Sequence, residues 1–265
     1  MSVGADETKT KPETTALQGG RAKDALFAVA DDDTPSIADP LDPLVSCLCV
    51  TRKRVAMLRR AVNCFLDQTY SPRELVVLYE SDDSETRDYL AGLNEVQMLA
   101  IEVPVEPKLR LGALRNISVA ASHGHYIANW DDDDWHSPQR LTAQIDAMRV
   151  SSKPSCLLMR WVIYDLTSQQ AYLSGQRLWE GSLVAERATI IAYPNLAMGE
   201  DKPVVDQLIL EDKVAGLDSP DLYIYVVHGA NTWDVAHWRE NLLPYAERLT
   251  DKSSEKVRAL LLRHQ

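Results

Sequence analysis

The sequence lacks an excess of positive charge: its 265 residues carry 28 lysines and arginines against 39 aspartates and glutamates, a formal net charge of -11. Contacts with a nucleic-acid backbone require lysine and arginine in excess, so a general nucleic-acid-binding protein is excluded. An anionic small ligand is not excluded, because it needs only a local cluster of basic side chains. The composition, 45% hydrophobic and 25% charged, is that of a folded globular chain.

Cysteine is scarce as well. The four cysteines (Cys47, Cys49, Cys64 and Cys156) form no C-x-x-C pair and lie in apolar runs, so neither a disulfide framework nor a zinc site is expected. No apolar run reaches the roughly 18 residues that predict a membrane span. The first 20 residues have no apolar core of the signal-peptide type. We therefore expect a cytoplasmic protein; peripheral membrane association stays open, and the sequence does not indicate the oligomeric state.

Large apolar side chains are rare in residues 1–43, which are rich in Asp, Thr, Pro, Gly and Lys. Such a segment cannot bury enough surface to offset the entropy of ordering it, so a disordered N-terminal tail is predicted. The folded part is expected to begin at residue 44.

From Leu44 onward, strand patterns alternate with helical patterns. The predicted strands are LVSCLCV, ELVVLYE, VQMLAIEV and YIANW, and helical spacings such as LRRAVNCFL separate them. This alternation predicts an α/β fold with a Rossmann-like, mostly parallel sheet flanked by helices. Beyond residue 154 the alternation loosens, and SCLLMRWVIYDL with QQAYLS predicts antiparallel strands. Residues 44–150 and 151–265 are expected to be two halves of one domain.

Three charged turns, TRKR, ESDD and DDDD, each follow a predicted strand. In a parallel sheet, ligands bind beyond the carboxyl ends of the strands, so these turns are expected to meet in one crevice. The four consecutive aspartates lie between Trp130 and Trp135. Adjacent carboxylates repel one another, and these two indoles are expected to wall the loop from water. A solvated acidic loop is the alternative interpretation.

In their order and spacing, these segments resemble a family-2 glycosyltransferase with the GT-A fold, over roughly Val45 to Asp234. The family's opening strand, turn and helix are matched by VSCLCVTRKR and LRRAVNCFLDQTY, and its DxD loop by YIANWDDDDW. Its catalytic-base motif is matched by GED. The resemblance implies a metal-dependent, inverting transfer of a sugar from a nucleotide-diphosphate donor, expected to be a UDP-sugar. The acceptor would be a hydroxyl group on a glycan, a lipid-linked glycan or a small molecule.

The resemblance assigns Asp131, Asp132 and Asp133 to the DxD triplet, with Asp133 as the direct metal ligand. Mg²⁺ or Mn²⁺ takes few carboxylates and completes its shell with phosphate and water. Bridging the diphosphate, such an ion stabilises the charge that grows on the leaving group. Asp131 is a second candidate ligand, and either Asp131 or Asp132 would contact the ribose or the donor sugar. Asp134 is expected to cap the next turn.

The nucleotide side of the site is expected to include Thr51 and Arg52 in the first turn and Glu80 at the end of the second strand. Glu80 stands where the family usually has an aspartate that bonds the uracil ring, and Tyr79-Glu80 replaces its Asp-Asp pair. Ordinary loop positions are the alternative for Thr51 and Arg52, and a surface glutamate at the end of a strand is the alternative for Glu80.

Three basic residues, Lys108, Arg110 and Arg115, precede or begin the helix that leads to the DxD strand. The resemblance implies that a basic residue here pairs with the diphosphate, and Arg110 matches best. A guanidinium fork suits phosphate oxygens. Helix-surface solvation is the alternative.

In AMGEDKPVVDQL, Glu200 and Asp201 match the base motif. Inverting transfer needs a carboxylate that takes the proton of the acceptor hydroxyl as its oxygen attacks the anomeric carbon. Asp201 is the expected base, and Glu200 is expected to orient it or the acceptor. An acidic helix start is the alternative, because carboxylates there favour the helix dipole.

Late in the chain, YIYVVHGANTWD places His228 at the end of a predicted strand. Some GT-A enzymes use such a histidine at the metal or diphosphate, so His228 is a candidate metal ligand; a structural role is the alternative. Trp179, Asn231 and Trp233 are candidate walls of the acceptor site, although tryptophans serve core packing as often.

Three other functions compete with this prediction. A nucleotidyltransferase would carry a glycine-rich phosphate loop after the first strand, and CLCVTRKRVAML has no glycine. A calcium-binding module would alternate ligands with glycine, and DDDDWHSP has none. A catalytically inactive GT-A scaffold or sugar-binding module stays open, because Glu80 departs from the family pattern.

Overall fold

The computed structural model describes residues 26–27, 42–93, 97–233 and 235–263. Apart from residues 26–27 and 42–43, the predicted N-terminal tail lies outside the described residues. Leu26 is buried in the main hydrophobic core. The Phe27 ring meets Trp135 edge-on, with the ring centroids 6.0 Å apart. At these two residues the N-terminal segment therefore contacts the folded core.

The first half of the chain alternates strands and helices as its apolar pattern predicts. The elements are β1 (Val45–Val50), α1 (Val55–Leu66), β2 (Arg73–Glu80), α2 (Ser84–Ala91), β3 (Met98–Val103), α3 (Leu111–Ala121) and β4 (Tyr126–Asn129). The four strands pair in parallel, β1 between β2 and β4, and β3 beside β2. Their apolar runs suit a sheet covered by helices on both faces.

Three later strands extend this sheet: β6 (Ser155–Leu158), β9 (Val184–Glu186) and β10 (Val214–Leu217). The strand order is β10-β6-β9-β4-β1-β2-β3. Only β9 runs antiparallel to its neighbours, so the sheet is mostly parallel and the predicted fold class is confirmed. The division into halves at residue 150 stays a prediction, and both halves contribute strands to this sheet.

A second, smaller sheet has the order β12-β8-β7-β11-β5. Its strands are β5 (Trp135–His136), β7 (Val162–Asp165), β8 (Gln170–Leu173), β11 (Tyr223–Val227) and β12 (Glu247–Arg248). The pairing of β7 with β8 is antiparallel, as predicted, whereas β7 and β11 are parallel. The four aspartates lie between β4 of the large sheet and β5 of the small one, so the acidic loop joins the two sheets.

The remaining α-helices are α4 (Arg140–Ser151), α5 (Asp201–Leu210), α6 (Val235–His237) and α7 (Asp251–Arg263). Among the described residues, no helix is both long and apolar enough to cross a membrane.

Ser137 followed by Pro138 is the pattern of a helix cap with a first-turn proline. In the structure α4 begins at Arg140, and Gln139 is its N-cap residue. Gln68, in the turn after α1, donates to the Ser137 carbonyl (2.7 Å) and accepts from the Leu141 N–H (3.1 Å). These contacts clamp the chain that enters α4.

Candidate active site

The turns after β1 and β4 meet at one pocket of about 120 Å³. Its charged lining residues are Arg54, Arg115, Asp131, Asp132, Asp133, Asp134, Glu200 and Asp201. The DxD loop and the base motif, which lie far apart in the sequence, therefore face the same space. The sequence predicts that three charged turns meet in one crevice. Of these, the TRKR turn lines this pocket through Arg54, and the DDDD turn lines it through its four aspartates.

Asp132 and Asp133 contact a hydroxyl, a guanidinium and an imidazole from distant parts of the chain. Thr51 Oγ1 donates to Asp132 Oδ2 at 2.6 Å. The Arg54 guanidinium spans both aspartates, with Nη2 at 2.6 Å from Asp132 Oδ1 and Nη1 at 3.1 Å from Asp133 Oδ2. His228 Nε2 lies 3.0 Å from the same Asp133 oxygen.

Arg115 connects the acidic loop to the base motif. Its Nε donates to Glu200 Oε1 at 2.6 Å and its Nη2 to Asp131 Oδ1 at 3.0 Å. Only 6% of the Arg115 side chain is exposed, and its departure would leave the buried Glu200 carboxylate without its cation. Burial opposes its charge, but Asp131 and Glu200 beside it raise the pKa of Arg115 well above its ordinary value.

Asp134 does not cap the next turn as expected; it points into the protein. The Tyr223 hydroxyl donates to Asp134 Oδ2, and the Val226 N–H donates to Oδ1 at 3.0 Å. Both donors lie on β11, so Asp134 fastens the acidic loop to the small sheet. Burial raises its pKa well above the ordinary value.

Arg140 holds both ends of the acidic loop. Its Nη2 donates to the Asn129 carbonyl (3.0 Å), and its Nη1 lies 2.8 Å from His136 Nδ1. Its guanidinium lies over the rings of Trp130 and Tyr223. Burial lowers the pKa of His136 well below its ordinary value, which keeps that imidazole neutral and able to accept from Arg140.

The carboxylates of the loop differ in electrostatic environment. Burial, with Asp133 alongside, raises the pKa of Asp132 to about 7 despite Arg54. Burial also raises the pKa of Asp131, although Arg115 opposes the shift. Burial would raise the pKa of Asp133 too, but the hydrogen bond from His228 and the charge of Arg54 outweigh it and lower that pKa.

These environments fit a divalent cation, because the pocket has more acidic than basic groups. Six acidic residues line it against two arginines, although the Asp134 carboxyl turns to the small sheet. Burial raises the pKa values of Asp131 and Asp132, and the charge of Asp133 adds to both shifts. Carboxylate oxygens with one imidazole are a donor set that Mn²⁺ and Mg²⁺ accept. Within the described ranges, no three His, Cys, Asp or Glu side chains form a ready metal cluster, so added ligands would complete the shell.

The base motif lies opposite the acidic loop at the start of α5. Gly199 has a φ of +68°, a conformation that glycine adopts without strain, and it turns the chain into Glu200 and Asp201. Glu200 is buried against Arg115, whereas Asp201 is partly exposed in the pocket. Burial raises the pKa of Asp201 to about 6; Glu200 adds to the shift and Arg115 opposes it.

Glu80 is the centre of a second charged group outside the lining of this pocket. Lys108 donates to Glu80 Oε1, and Arg52 Nε lies 2.8 Å from Oε2. The Glu80 side chain is 3% exposed, whereas about half of each partner is exposed. Thus Arg52 and Glu80, predicted for the nucleoside, and Lys108, predicted for the diphosphate, are brought together by the fold.

Arg110 lies apart from the acidic loop. It is the N-cap residue of α3, and its exposed Nη1 is 3.5 Å from the Asn195 carbonyl. Of the three basic residues considered for the diphosphate, only Arg115 lines the pocket. The expected best match, Arg110, does not, and its contact with a diphosphate stays a prediction.

The three candidate acceptor walls, Trp179, Asn231 and Trp233, all line the pocket. Trp179 stacks on Trp161 with ring centroids 4.4 Å apart. Asn231 accepts from the His228 N–H at 2.9 Å, which holds the turn carrying that histidine. Trp233 is 42% exposed, so part of its ring faces solvent beside the pocket.

The sequence reasoning missed two arginines that bond aspartates of the acidic loop directly, and also Arg140, which holds the ends of that loop. Arg54 belongs to the TRKR turn, in which the resemblance indicated only Thr51 and Arg52. Arg60, on α1, donates to the carbonyls of Asp133 and Asp134. The sequence feature that could have indicated Arg54 is its place at the start of α1, from which a long side chain reaches across the strand ends. No sequence feature indicated Arg60.

A parallel-rich sheet with an acidic loop beyond β4 and a carboxylate pair across the pocket is the GT-A architecture of nucleotide-sugar transferases. The family model for Glycosyl transferase family 2 matches residues 46–187, more than half of the chain. The chain therefore belongs to glycosyltransferase family 2, as its motifs predict.

Individual relatives cover smaller parts of the chain. WcaA of Escherichia coli (strain K12), named for a glycosyl transferase of colanic acid biosynthesis, is 29% identical over 103 residues, 38% of this chain and 36% of the relative. The uncharacterized glycosyltransferase alr2836 of Nostoc sp. (strain PCC 7120) is 26% identical over 141 residues, 52% of this chain and 44% of the relative. The chain thus spans less than half of the length of these curated relatives.

Solved structures support the fold. TarS residues 1–349 of S. aureus, in complex with UDP-GlcNAc, has a TM-score of 0.58 and 13% identity, with 71% of this chain and 60% of that chain covered. The mannosyltransferase PcManGT of Pyrobaculum calidifontis, in complex with GDP-Man and Mn²⁺, has a TM-score of 0.55 and 13% identity, with coverages of 76% and 61%. At these identities the similarity shows the GT-A fold alone.

Proposed function

We propose that this chain is a metal-dependent, inverting glycosyltransferase that moves a sugar from a nucleotide-diphosphate donor to a hydroxyl acceptor. One observation carries the proposal: Arg115 joins Asp131 of the acidic loop to Glu200 of the base motif across a single pocket. Donor and acceptor chemistry would therefore occur within one space.

The proposed resident ion is Mn²⁺ or Mg²⁺, held by Asp133 with Asp131 and His228. Bound there, the ion would act as a Lewis acid that stabilises the charge developing on the diphosphate. Asp132, already hydrogen-bonded to Thr51, would contact the ribose or the donor sugar. Lys108, Arg110 and Arg115 are the proposed diphosphate-binding residues, of which Arg115 has the position that best supports this role.

We propose a UDP-sugar donor, with Thr51, Arg52 and Glu80 at the nucleoside. Glu80 is buried beneath Arg52 and Lys108, so the nucleobase of the donor would contact these side chains together. The related folds do not identify the nucleobase of the donor, because TarS was solved with UDP-GlcNAc and PcManGT with GDP-Man.

The proposed base is Asp201. Its carboxylate would take the proton of the acceptor hydroxyl as that oxygen forms a bond to the anomeric carbon and the bond to the diphosphate breaks. Glu200, held by Arg115 at 2.6 Å, would keep the base and acceptor oriented. Trp179 and Trp233 offer ring faces against which the acceptor would lie.

The proposed context is surface-polysaccharide or glycoconjugate synthesis in the cytoplasm. Support comes from the name of WcaA, which refers to colanic acid biosynthesis, and the four cysteines are free and buried. The acceptor would be a glycan, a lipid-linked glycan or a small molecule.

A catalytically inactive scaffold is the second candidate, favoured by Glu80 in place of the usual aspartate. Slow hydrolysis of a nucleotide sugar with Mn²⁺ separates the two, because an inactive scaffold would release no nucleoside diphosphate.

Asp133→Ala tests the proposed site. We expect the affinity for UDP with Mn²⁺, measured by calorimetry, to fall by at least about tenfold, since the ion loses its principal carboxylate. Asp88→Ala is the matched control, because that carboxylate is 76% exposed on α2 and should bind as the wild type does. Unchanged affinity in a folded Asp133→Ala chain would contradict the proposed metal site.

A further inference from the structure

Three arginines form hydrogen bonds with the four aspartates of the acidic loop, and they differ in how much of each side chain is exposed. Arg60 is buried and binds main-chain carbonyls. Arg115 is 6% exposed between two carboxylates. Arg54 alone is in contact with water, at 26% exposure. Arg54 is therefore the most easily displaced of the three, but Asp132, whose side chain is 1% exposed, then requires another cation in its place.

The main chain of Arg54 is held by hydrogen bonds, whereas its side chain is 26% exposed. Arg54 is the N-cap residue of α1, and its carbonyl accepts from the N–H groups of Met57 (2.9 Å) and Leu58 (3.0 Å). The preceding Lys53 N–H donates to Asp83, the N-cap residue of α2. The guanidinium is thus attached to a fixed main chain and lies between Asp132 and Asp133.

In that position Arg54 bonds the oxygen that a metal ion would need. Asp133 Oδ2 accepts from Arg54 Nη1 at 3.1 Å and lies 3.0 Å from His228 Nε2. A guanidinium and a divalent cation on one carboxylate oxygen repel each other strongly at this range. The two cations therefore exclude each other unless additional negative charge enters the pocket.

We propose that Arg54 is an internal counter-ion that occupies Asp132 and Asp133 before the donor arrives, so that a divalent cation binds tightly only together with a nucleoside diphosphate. The diphosphate supplies oxygens for the ion and a new acceptor for the displaced guanidinium. Metal and nucleotide then strengthen each other's binding, and this coupling is reciprocal. The inference rests on the proposed function for the identity of the two ligands.

Mn²⁺ alone, titrated into the full chain in mildly alkaline buffer and followed by calorimetry and by electron paramagnetic resonance of the free ion, tests the proposal. We expect Arg54→Met to bind Mn²⁺ on the order of tenfold more tightly than the wild type, because one positive charge leaves the loop. In the same variant, UDP should strengthen Mn²⁺ binding less than it does in the wild type.

Lys53→Met is the matched control. It removes one positive charge from the same turn, but Lys53 pairs with Asp82 rather than the acidic loop. We expect its Mn²⁺ affinity without nucleotide to equal that of the wild type. An equal gain in both variants would overturn the proposal, since the effect would then belong to the overall charge of the turn.

Arg54→Lys covers the case in which Arg54→Met does not fold. Lysine keeps the charge but cannot bond both aspartates as a fork, so we expect a smaller gain in Mn²⁺ affinity. Wild-type affinity or weaker in every folded Arg54 variant would overturn the inference. If the wild type shows Mn²⁺-dependent UDP binding in that case, the proposed function stands; without such binding the proposed function fails as well.

Discussion

At the residue scale, four identical side chains in a row serve different purposes because each meets different partners. Asp131 bonds Arg115, Asp132 bonds Thr51, and Asp133 lies against His228. Asp134 turns away to the small sheet. Burial and local charge, rather than residue type, therefore separate the three pocket carboxylates from the structural one.

Asp201 gives the clearest prediction at this scale. With a pKa raised by burial to about 6, the carboxyl is protonated below that pH and cannot accept a proton. We expect the rate of sugar transfer to rise as pH increases through about 6. Asp201→Asn should lower that rate by about 10²–10⁴-fold with donor binding retained.

The control is Asp206→Asn on the same helix, where the carboxylate is 49% exposed and pairs with Lys202. It should transfer at the wild-type rate. Near-normal turnover of Asp201→Asn, or a rate that does not change across pH 6, would remove Asp201 as the base.

At the element scale, the start of α3 is locked to the loop that precedes the base motif. The Gly112 N–H donates to the Leu196 carbonyl at 3.0 Å, and a Cβ on Gly112 would lie 1.8 Å from the Pro194 carbonyl oxygen. Only glycine permits this approach without movement of the main chain. Because α3 carries Arg115 and the loop leads to Glu200, the contact sets the spacing of the pair.

Gly112→Ala should therefore destabilise the fold by about 1–3 kcal/mol, the usual range for forced overpacking, and also slow transfer. Gly92→Ala is the control, since a Cβ there would meet its nearest neighbour, the Tyr89 carbonyl oxygen, at an ordinary 3.4 Å. Urea unfolding of both variants provides the measurement. Equal stability of the two variants would show that the main chain of residues 194–196 moves to accommodate the added methyl group without a loss of stability.

At the scale of the whole molecule, the acidic loop joins two sheets that otherwise pair separately. β4 before it belongs to the large sheet, and β5 after it pairs with β11 of the small sheet. Asp134 adds a link to Tyr223 on β11. The acidic loop is thus one of the chain connections between the two sheets.

Tyr223→Phe tests this connection. Removing the hydroxyl leaves a buried carboxyl oxygen of Asp134 without its donor, and we expect a loss of about 1–3 kcal/mol in the free energy of unfolding. Tyr164→Phe is the control, because Tyr164 is buried on β7 and makes no side-chain hydrogen bond within the described ranges. Similar thermal stability of both variants would contradict a stabilising link through Asp134.

The sequence alone predicts the alternation of strands and helices and the meeting of charged turns at one edge of the sheet. It also predicts the carboxylates and the basic residues that are proposed for the site. These follow from periodicity and strand direction, which are local properties of the chain. Missed were Arg54 and Arg60, the inward turn of Asp134 and the start of α4 at Arg140.

Only the tertiary structure decided which charges meet. Thr51 and Asp132 are 81 positions apart, and Arg115 and Glu200 are 85 apart. Such contacts depend on register, side-chain rotamer and burial of both partners at once, none of which a linear pattern records. A carboxylate cluster in sequence therefore indicates where partner side chains will lie, whereas the folded chain selects Arg54, Arg115 and His228 for that place.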